Sequence, residues 1–327
     1  MRILVTGGAG YVGCRLVPAL AEAGHDVIIL DAMVYGEPDF GGALPGSCSI
    51  IAGDIRDTAL VRSALDGVDA VIHLAAISND PSAELDHELT WSINVEAGIE
   101  LISQAKRSGC KRFIFASSAS IYGVSDRPSV TEDTPPAPLT VYARSKVEME
   151  RALGAAMSDD FTGIIVRPAT LCGYSSRLRL DLTLNIFARQ AWFDGAITVF
   201  GGSQMRPNLA IADMVRAYVM LAEAPTAIVA GRCYNIGLSN LPVQTLAELA
   251  RDIVAPDVPV RIQPVFDERS YRLASGAIEH DLGFVPRTSL EEAVKELRDA
   301  FAGGLVHDPD DCRYHNIRML KQQLHHT

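Results

Sequence analysis

The feature that most constrains this chain is a glycine-rich turn set between a strand pattern and a helix pattern. Thr6-Gly7-Gly8-Ala9-Gly10-Tyr11-Val12-Gly13 follows the apolar run Arg2-Ile3-Leu4-Val5 and opens a helical pattern over Tyr11–Ala23. Glycines at 7, 10 and 13 let the backbone turn tightly and approach a ligand with no Cβ in the way. The free amides of a helix start then receive negative charge. Strand, turn and helix in this order suit the pyrophosphate of a dinucleotide; a glycine triplet alone would not carry that reading. The next apolar run, Val27-Ile28-Ile29-Leu30, closes on Asp31. A carboxylate there accepts hydrogen bonds from the adenosine ribose and repels a 2′-phosphate, and neighbouring Ala32 and Met33 bring no positive charge. The expected cofactor is therefore NAD rather than NADP.

The alternation continues through the first half. Ser49–Ala52, Ala70–His73 and Arg112–Ala116 read as strands, with helical patterns between them, the longest over Leu85–Arg107. Buried strands alternating with helices predict an α/β fold, a doubly wound parallel sheet of the Rossmann kind. After residue 170 the pattern turns irregular. Helices are expected at Leu182–Trp192, Asp213–Ala222, Thr245–Val254 and Leu290–Phe301, with short strands at Ile197–Phe200 and Cys233–Ile236. The expected organisation is an NAD-binding domain over 1–170, with later segments able to return to it. A smaller C-terminal substrate-binding lobe would occupy most of 171–327. The polar tail from His307 is expected to be loosely held.

Charge and cysteine usage exclude several classes. A net charge of −11 argues against an extended nucleic-acid surface, while leaving a small anionic ligand within reach of a few arginines. The six cysteines are scattered, with no CxxC pair and no zinc-ligand spacing, so no metal is expected and reduced thiols in the cytoplasm are. No targeting segment and no apolar run of membrane-spanning length is visible, and no membrane partner is expected.

Further motifs occur in a fixed order: Gly53-Asp54-Ile55-Arg56-Asp57, His73-Leu74-Ala75-Ala76, Asn94, Ser117-Ser118-Ala119-Ser120-Ile121-Tyr122-Gly123 and Tyr142-Ala143-Arg144-Ser145-Lys146. Together with the glycine turn and Asp31, this set resembles the extended short-chain dehydrogenases/reductases, above all their nucleotide-sugar epimerase and dehydratase branch. The resemblance runs over about residues 1–300. It implies that Asp54 and Ile55 flank the adenine. It further implies that Leu74, Ala75 and Ala76 line the cofactor cleft, that Pro168 lies beside the nicotinamide, and that Asn94 supports the active-site helix. It also implies a homodimer formed through two long helices, here Leu85–Arg107 and Tyr142–Met157.

The chemistry can be argued from the residues as well. Tyr142 and Lys146 stand four apart on an expected helix and so share a face. A free tyrosine has a pKa near ~10, too high for an effective base at neutral pH, where it stays protonated. A nearby ammonium and a positive nicotinamide would both favour its phenolate. Tyr142 could then exchange a proton with a sugar hydroxyl, Lys146 could hold the nicotinamide ribose, and the Ser118 hydroxyl could bond the same reacting oxygen.

On the substrate side, Arg206-Pro207-Asn208-Leu209-Ala210-Ile211-Ala212-Asp213 resembles the family segment whose arginine meets the nucleotide diphosphate, and a planar guanidinium suits that group. Asn185 resembles a residue near the nucleotide. Arg177, Arg179 and Arg269 are further candidates for anionic groups, and Ser120 and Thr170 for the sugar. Two residues depart from the family pattern. Thr170 stands where many 4-epimerases have asparagine, and Ala210 where a histidine is common. The dehydratase and decarboxylase relatives carry acids just after the catalytic serine, where this chain has Ala119 and Ser120. The expected activity is therefore NAD-dependent 4-epimerisation of a nucleotide-sugar through a transient 4-keto sugar. Net 4-oxidation or 4-keto reduction, and a non-catalytic NAD-binding redox sensor, stay open as alternatives.

Overall fold

The computed structural model describes all residues except 43, 45, 126, 265–269 and 326–327. The first half runs β1 (Arg2–Thr6), α1 (Gly13–Glu22), β2 (Asp26–Asp31), β3 (Cys48–Ala52), α2 (Thr58–Ala64) and β4 (Ala70–His73). It continues with α3 (Asp80–Ala83), α4 (His87–Trp91), α5 (Ala97–Arg107), β5 (Arg112–Ala116), α6 (Val141–Ala156) and β6 (Thr162–Pro168). Next come β7 (Thr170–Cys172), α7 (Thr183–Arg189), β8 (Ile197–Phe200), β9 (Met205–Ala210), α8 (Ile211–Glu223) and α9 (Thr226–Val229). The chain ends with β10 (Cys233–Ile236), β11 (Ser239–Pro242), α10 (Val243–Val254), β12 (Val260–Gln263), α11 (Gly276–Leu282), α12 (Leu290–Ala302) and α13 (Asn316–Leu324).

Seven strands pair in the order β10-β6-β5-β4-β1-β2-β3, every pair parallel. The central strands are apolar on both faces, as a sheet covered by helices on both sides requires. Along β1 and β2 successive side chains alternate between two cores. Ile3, Val5, Val27 and Ile29 pack on one face, Leu4, Ile28 and Leu30 on the other. The strand order reverses at β1, where the chain crosses back from β3 to β4. A crevice opens at such a switch point, beyond the carboxyl ends of the strands. There Thr6 Oγ1 and His73 Nδ1 lie 2.7 Å apart, and burial pushes the imidazole down to about 3, so the ring is neutral.

Cys233–Ile236 returns to the large sheet as its edge strand, paired with β6. The structure departs from the sequence reading in three places. β6, built on Ile164-Ile165-Val166, was not singled out by the alternation. The long helix is two helices joined by a π segment at Ser92–Glu96 that holds Asn94. The tail is not loose: it ends in α13, which contacts α3 and buries Asn316 and Met319. Two small sheets, β11-β9-β7 and β12-β8, carry the remaining strands. Pairing of β7 with β9 sets Thr170 beside Asn208, two residues from Arg206.

Candidate active site

A cavity of about 1110 Å³ opens over the carboxyl ends of β1, β4, β5 and β6. Gly7, Gly10, Tyr11, Val12, Gly13, Asp31, Asp54, Ile55, Leu74, Ala75, Ala76 and Pro168 line it, as do Ser118, Ser120, Tyr142, Lys146, Thr170, Arg177 and Arg206. Among the expected site residues, Asn94 and Asn185 do not line it, and Arg269 lies outside the described residues.

The cofactor end fits a dinucleotide. At Gly7, with φ +71°, a Cβ would stand 2.6 Å from the Ala75 amide nitrogen; at Gly13 it would stand 2.3 Å from the Gly8 carbonyl oxygen. A side chain at Gly7 would force the turn off β1 and the turn off β4 apart, and one at Gly13 would push the start of α1 off the glycine turn. At Gly10 a Cβ would meet only Gly7 O, at 3.1 Å, so this residue keeps the cavity side of the turn open. No described side chain caps α1; the Cys14 and Arg15 amides donate to the Gly10 and Val12 carbonyls, and the amides of Tyr11, Val12 and Gly13 just before them are the ones that can meet a ligand. Asp31 does more than face a ribose. Its Oδ2 accepts from the Ala9 amide at 3.0 Å and its Oδ1 from the Met33 amide at 2.9 Å. Burial raises the carboxyl, while those two amides and the charge of Arg177 hold it down. Asp54, on the adjacent wall, is paired with Arg56 at 2.6 Å.

Ser118, Tyr142 and Lys146 converge where β5 and α6 meet the cavity. Thr140 caps α6 by accepting from the Ala143 amide at 3.1 Å, and the first turn and a half of the helix then presents Tyr142 and Lys146. Lys146 is 4% exposed; its Nζ donates to the Ala116 carbonyl at 2.8 Å and lies 5.5 Å from the centre of the Tyr142 ring. Ser118 Oγ accepts from the Ser120 amide at 3.1 Å, and its own proton is directed to the Tyr142 oxygen, where a reacting oxygen could share it. The electrostatics run against the expectation of a ready phenolate. Burial pushes Tyr142 up to about 12, with the charge of Asp80 adding to the rise. The Ser118 hydroxyl and the Arg179 guanidinium pull the other way. Burial also brings Lys146 down to about 7, although Glu150 supports its charge. In the cofactor-free chain the phenol is therefore protonated, and the lysine does not stand beside it as a secure cation.

Asn94 supports α6 from behind. Its Oδ1 accepts from the Ile77 amide at 2.8 Å, and its Nδ2 donates to the Ile77 carbonyl at 3.0 Å and to Ser145 Oγ at 3.3 Å. It touches no part of the cavity. Asn185 is fully buried: its Nδ2 donates to the Arg179 carbonyl at 2.8 Å, and its Oδ1 accepts from the Gly173 amide at 3.1 Å. Its carboxamide is occupied in shaping the chain, so the expectation that it meets the nucleotide is corrected.

Arg206 lines the cavity from β9, on the same side as Thr170. Ser120 also lines it, with a buried hydroxyl that has no partner among the described residues. Arg177 is displaced from the expected substrate side. Its guanidinium lies 3.5 Å from the centre of the Tyr35 ring, near enough to Asp31 to act on its carboxyl. Arg179 stands nearer Tyr142 and is paired with Asp181 at 2.8 Å. Ala210 is buried and does not line the cavity. The sequence reading missed Tyr35, Asp80, Asp181 and the residues of α13, all of which line the same space. Only Asp80 carried a local signal, an acid before Pro81 at a helix start. Among the described residues no group of three or more His, Cys, Asp or Glu could hold a metal ion.

Comparison with known proteins agrees with this geometry. Residues 3–237 match the model of the NAD dependent epimerase/dehydratase family. The UDP-glucose 4-epimerase of Lactobacillus helveticus is 29% identical over 286 residues, 81% of this chain and 85% of that protein. The dTDP-glucose 4,6-dehydratase of Streptomyces griseus is 32% identical, over 89% of this chain and 91% of its own length. The crystal structure of a UDP-glucose 4-epimerase from Thermotoga maritima with UDP-glucose superposes with a TM-score of 0.84 at 26% identity. That match covers 93% of this chain and all of the other. The chain belongs to the NAD-dependent epimerase/dehydratase family.

Proposed function

We propose that this protein is an NAD-dependent nucleotide-sugar 4-epimerase. The observation that carries the reading is the convergence of Ser118, Tyr142 and Lys146 at the switch-point cavity. There the flanking positions Ala119 and Ser120 hold no carboxyl group. Glycines 7, 10 and 13, Asp31 and the start of α1 hold the dinucleotide. NAD, when bound, supplies the hydride acceptor and its positive ring favours the phenolate. Tyr142 takes the proton of the C4 hydroxyl as the 4-keto sugar forms and returns it after the sugar has turned over. Ser118 donates to the same oxygen, Lys146 holds the nicotinamide ribose, and Arg206 meets the diphosphate.

Relatives named as UDP-glucose 4-epimerases support this reading. In the same reading residues 1–170, joined by β10, make the cofactor-binding unit, and 171–327 mainly the substrate lobe. The protein would act in the cytoplasm as a homodimer through the Leu85–Arg107 stretch, which holds α4 and α5, and through α6. Half-exposed Trp91 and Ile99 on that surface, and the groove that Trp91 forms with Pro136, Pro138 and Val147, support the pairing. No described helix is long and apolar enough to cross a membrane.

The test is incubation with UDP-, dTDP-, GDP- and CDP-hexoses, with the product followed by NMR. Inversion at C4 is the expected result, and its absence with every donor counts against the assignment. A second reading, 4,6-dehydration, is favoured by two observations. Asp80 places a carboxyl close enough to Tyr142 to act on its proton affinity, and the S. griseus relative is a dehydratase.

A further inference from the structure

The segment Gly173–Asp181 has almost no regular structure, yet it is fastened on three sides. Toward the glycine turn, the Tyr11 hydroxyl donates to the Gly173 carbonyl at 2.7 Å. The Ser175 hydroxyl donates to the Tyr11 carbonyl at 2.7 Å, and Arg15 donates to the Tyr174 carbonyl at 2.8 Å. Toward the loop after β2, Arg177 stacks on Tyr35, and the Ser176 hydroxyl donates to the Asp39 carbonyl. Toward the chain's end, one residue makes three bonds. Asn316 accepts from Arg177 Nη2 at 2.6 Å, donates its amide to Asp181 Oδ2 at 3.0 Å and donates its side chain to Ser78 Oγ at 3.0 Å. The Leu180 amide adds a bond to the Tyr314 carbonyl at 2.9 Å. The segment is thus a bridge over the cavity, from the start of α1 to the start of α13.

Two buried donors on this bridge, Arg177 Nε and Arg179 Nη2, have no partner among the described residues. Both arginines line the cavity, and one aspartate, Asp181, is their neighbour. Buried donors without partners are uncommon and call for a ligand. The opposite wall is the uncapped start of α1, which also attracts an anion. A group with several negative oxygens fits between them. We propose that Gly173–Asp181 is a cofactor-retaining strap: Arg177 faces the anionic and ribosyl part of the dinucleotide, and Asn316 is the positioning residue that fastens it. This rests on the reading that the cavity holds NAD. It also fits an epimerase better than a dehydrogenase. An enzyme that returns its hydride to the same sugar gains from a cofactor that does not leave between the two half-reactions, whereas net oxidation needs exchange at every turnover.

The experiment measures NAD dissociation from the full-length protein, loaded with a fluorescent or radiolabelled NAD and chased with unlabelled cofactor. Asn316→Ala is expected to release the label about tenfold faster or more, the size expected of one buried hydrogen bond to a charged group. Asn316→Asp, which keeps an oxygen for Arg177, is expected to lie close to wild type. Melting of the cofactor-free proteins reports folding separately. Should Asn316→Ala not fold, Arg177→Lys takes its place, because an ammonium cannot cover Tyr35 and reach Asn316 together. Unchanged dissociation in the folded variant overturns the strap. A wild-type chain that binds no NAD overturns the cofactor reading itself, and the strap with it.

Discussion

The carboxylate of Asp31 accepts a hydrogen bond from the amide of Ala9, 3.0 Å away, so the residue placed to meet the ribose also holds the glycine turn. Charge and geometry are joined in one side chain. Asp31→Ala is therefore expected to weaken NAD binding as well as narrow the preference over NADP. Asp31→Asn, which can still accept from Ala9, should narrow the preference with the smaller loss of NAD affinity. Titration of both dinucleotides into the three proteins checks this. Tighter binding of NADP than NAD by wild type would overturn the role of Asp31. Arg177, brought near Asp31 by the strap, is the positive charge that Ala32 and Met33 do not supply, so the preference should be moderate rather than absolute.

Tyr142→Phe keeps the ring and removes the proton carrier. Turnover should fall by about 10²–10⁴-fold, the usual contribution of a positioned general acid–base group, while NAD binding survives. Steady-state rates with the best hexose donor, beside NAD titration, make the comparison. Near-normal turnover would mean that the proton moves through another group.

Lys146 makes a stability prediction with a definite sign. Burial brings it to about 7, against ~10.4 for a free lysine. Between those values the unfolded chain binds a proton that the folded chain does not, so stability rises with pH across that window. Below it both states hold the proton, and the folded state carries the whole cost of a buried ammonium. Lys146→Met should therefore raise the melting temperature of the cofactor-free protein most at pH 6, with the gain much reduced by pH 9.5. An equal gain at both pH values, or a loss at pH 6, would show that Lys146 is not the buried charge described.

These predictions rest on residues of unequal visibility in the sequence. The glycine turn was legible because its function is met by contiguous backbone, and Tyr142 and Lys146 because helical spacing alone puts them on one face. The all-apolar strands marked the sheet, though β10 could be placed in it only by its pairing with β6. Asn185 was misread because sequence position does not say which way a buried carboxamide points, and its bonds to Gly173 and Arg179 exist only in the fold. The stack of Arg177 on Tyr35 and its bond to Asn316 join three distant segments. The composition of α13 is polar because its buried side reduces to few residues, Asn316 and Met319 among them, and a helix of that kind looks like a loose tail.

The last prediction concerns the reaction itself and turns on Asp80. It lines the cavity and accepts from the Thr140 hydroxyl at 2.5 Å, and its charge raises the Tyr142 phenol. The other acids near the serine segment do not reach the site. Glu132 accepts from the Asn235 amide at 2.8 Å, and neither it nor Asp133 lines the cavity. Dehydration across C5 and C6 needs a base and an acid besides the tyrosine engaged at O4, and Ala119 and Ser120 supply neither. Hexose nucleotides are therefore expected to come back with unchanged mass and inverted C4. In Asp80→Asn the same epimerisation should persist, with the Tyr142 limb of the pH–rate profile moved to lower pH, because a negative charge that opposes phenolate formation has been removed. Loss of water from the wild-type product, abolished in Asp80→Asn, would instead make Asp80 the acid of a dehydratase. Loss of two hydrogens, with NADH rising in step, would indicate net oxidation.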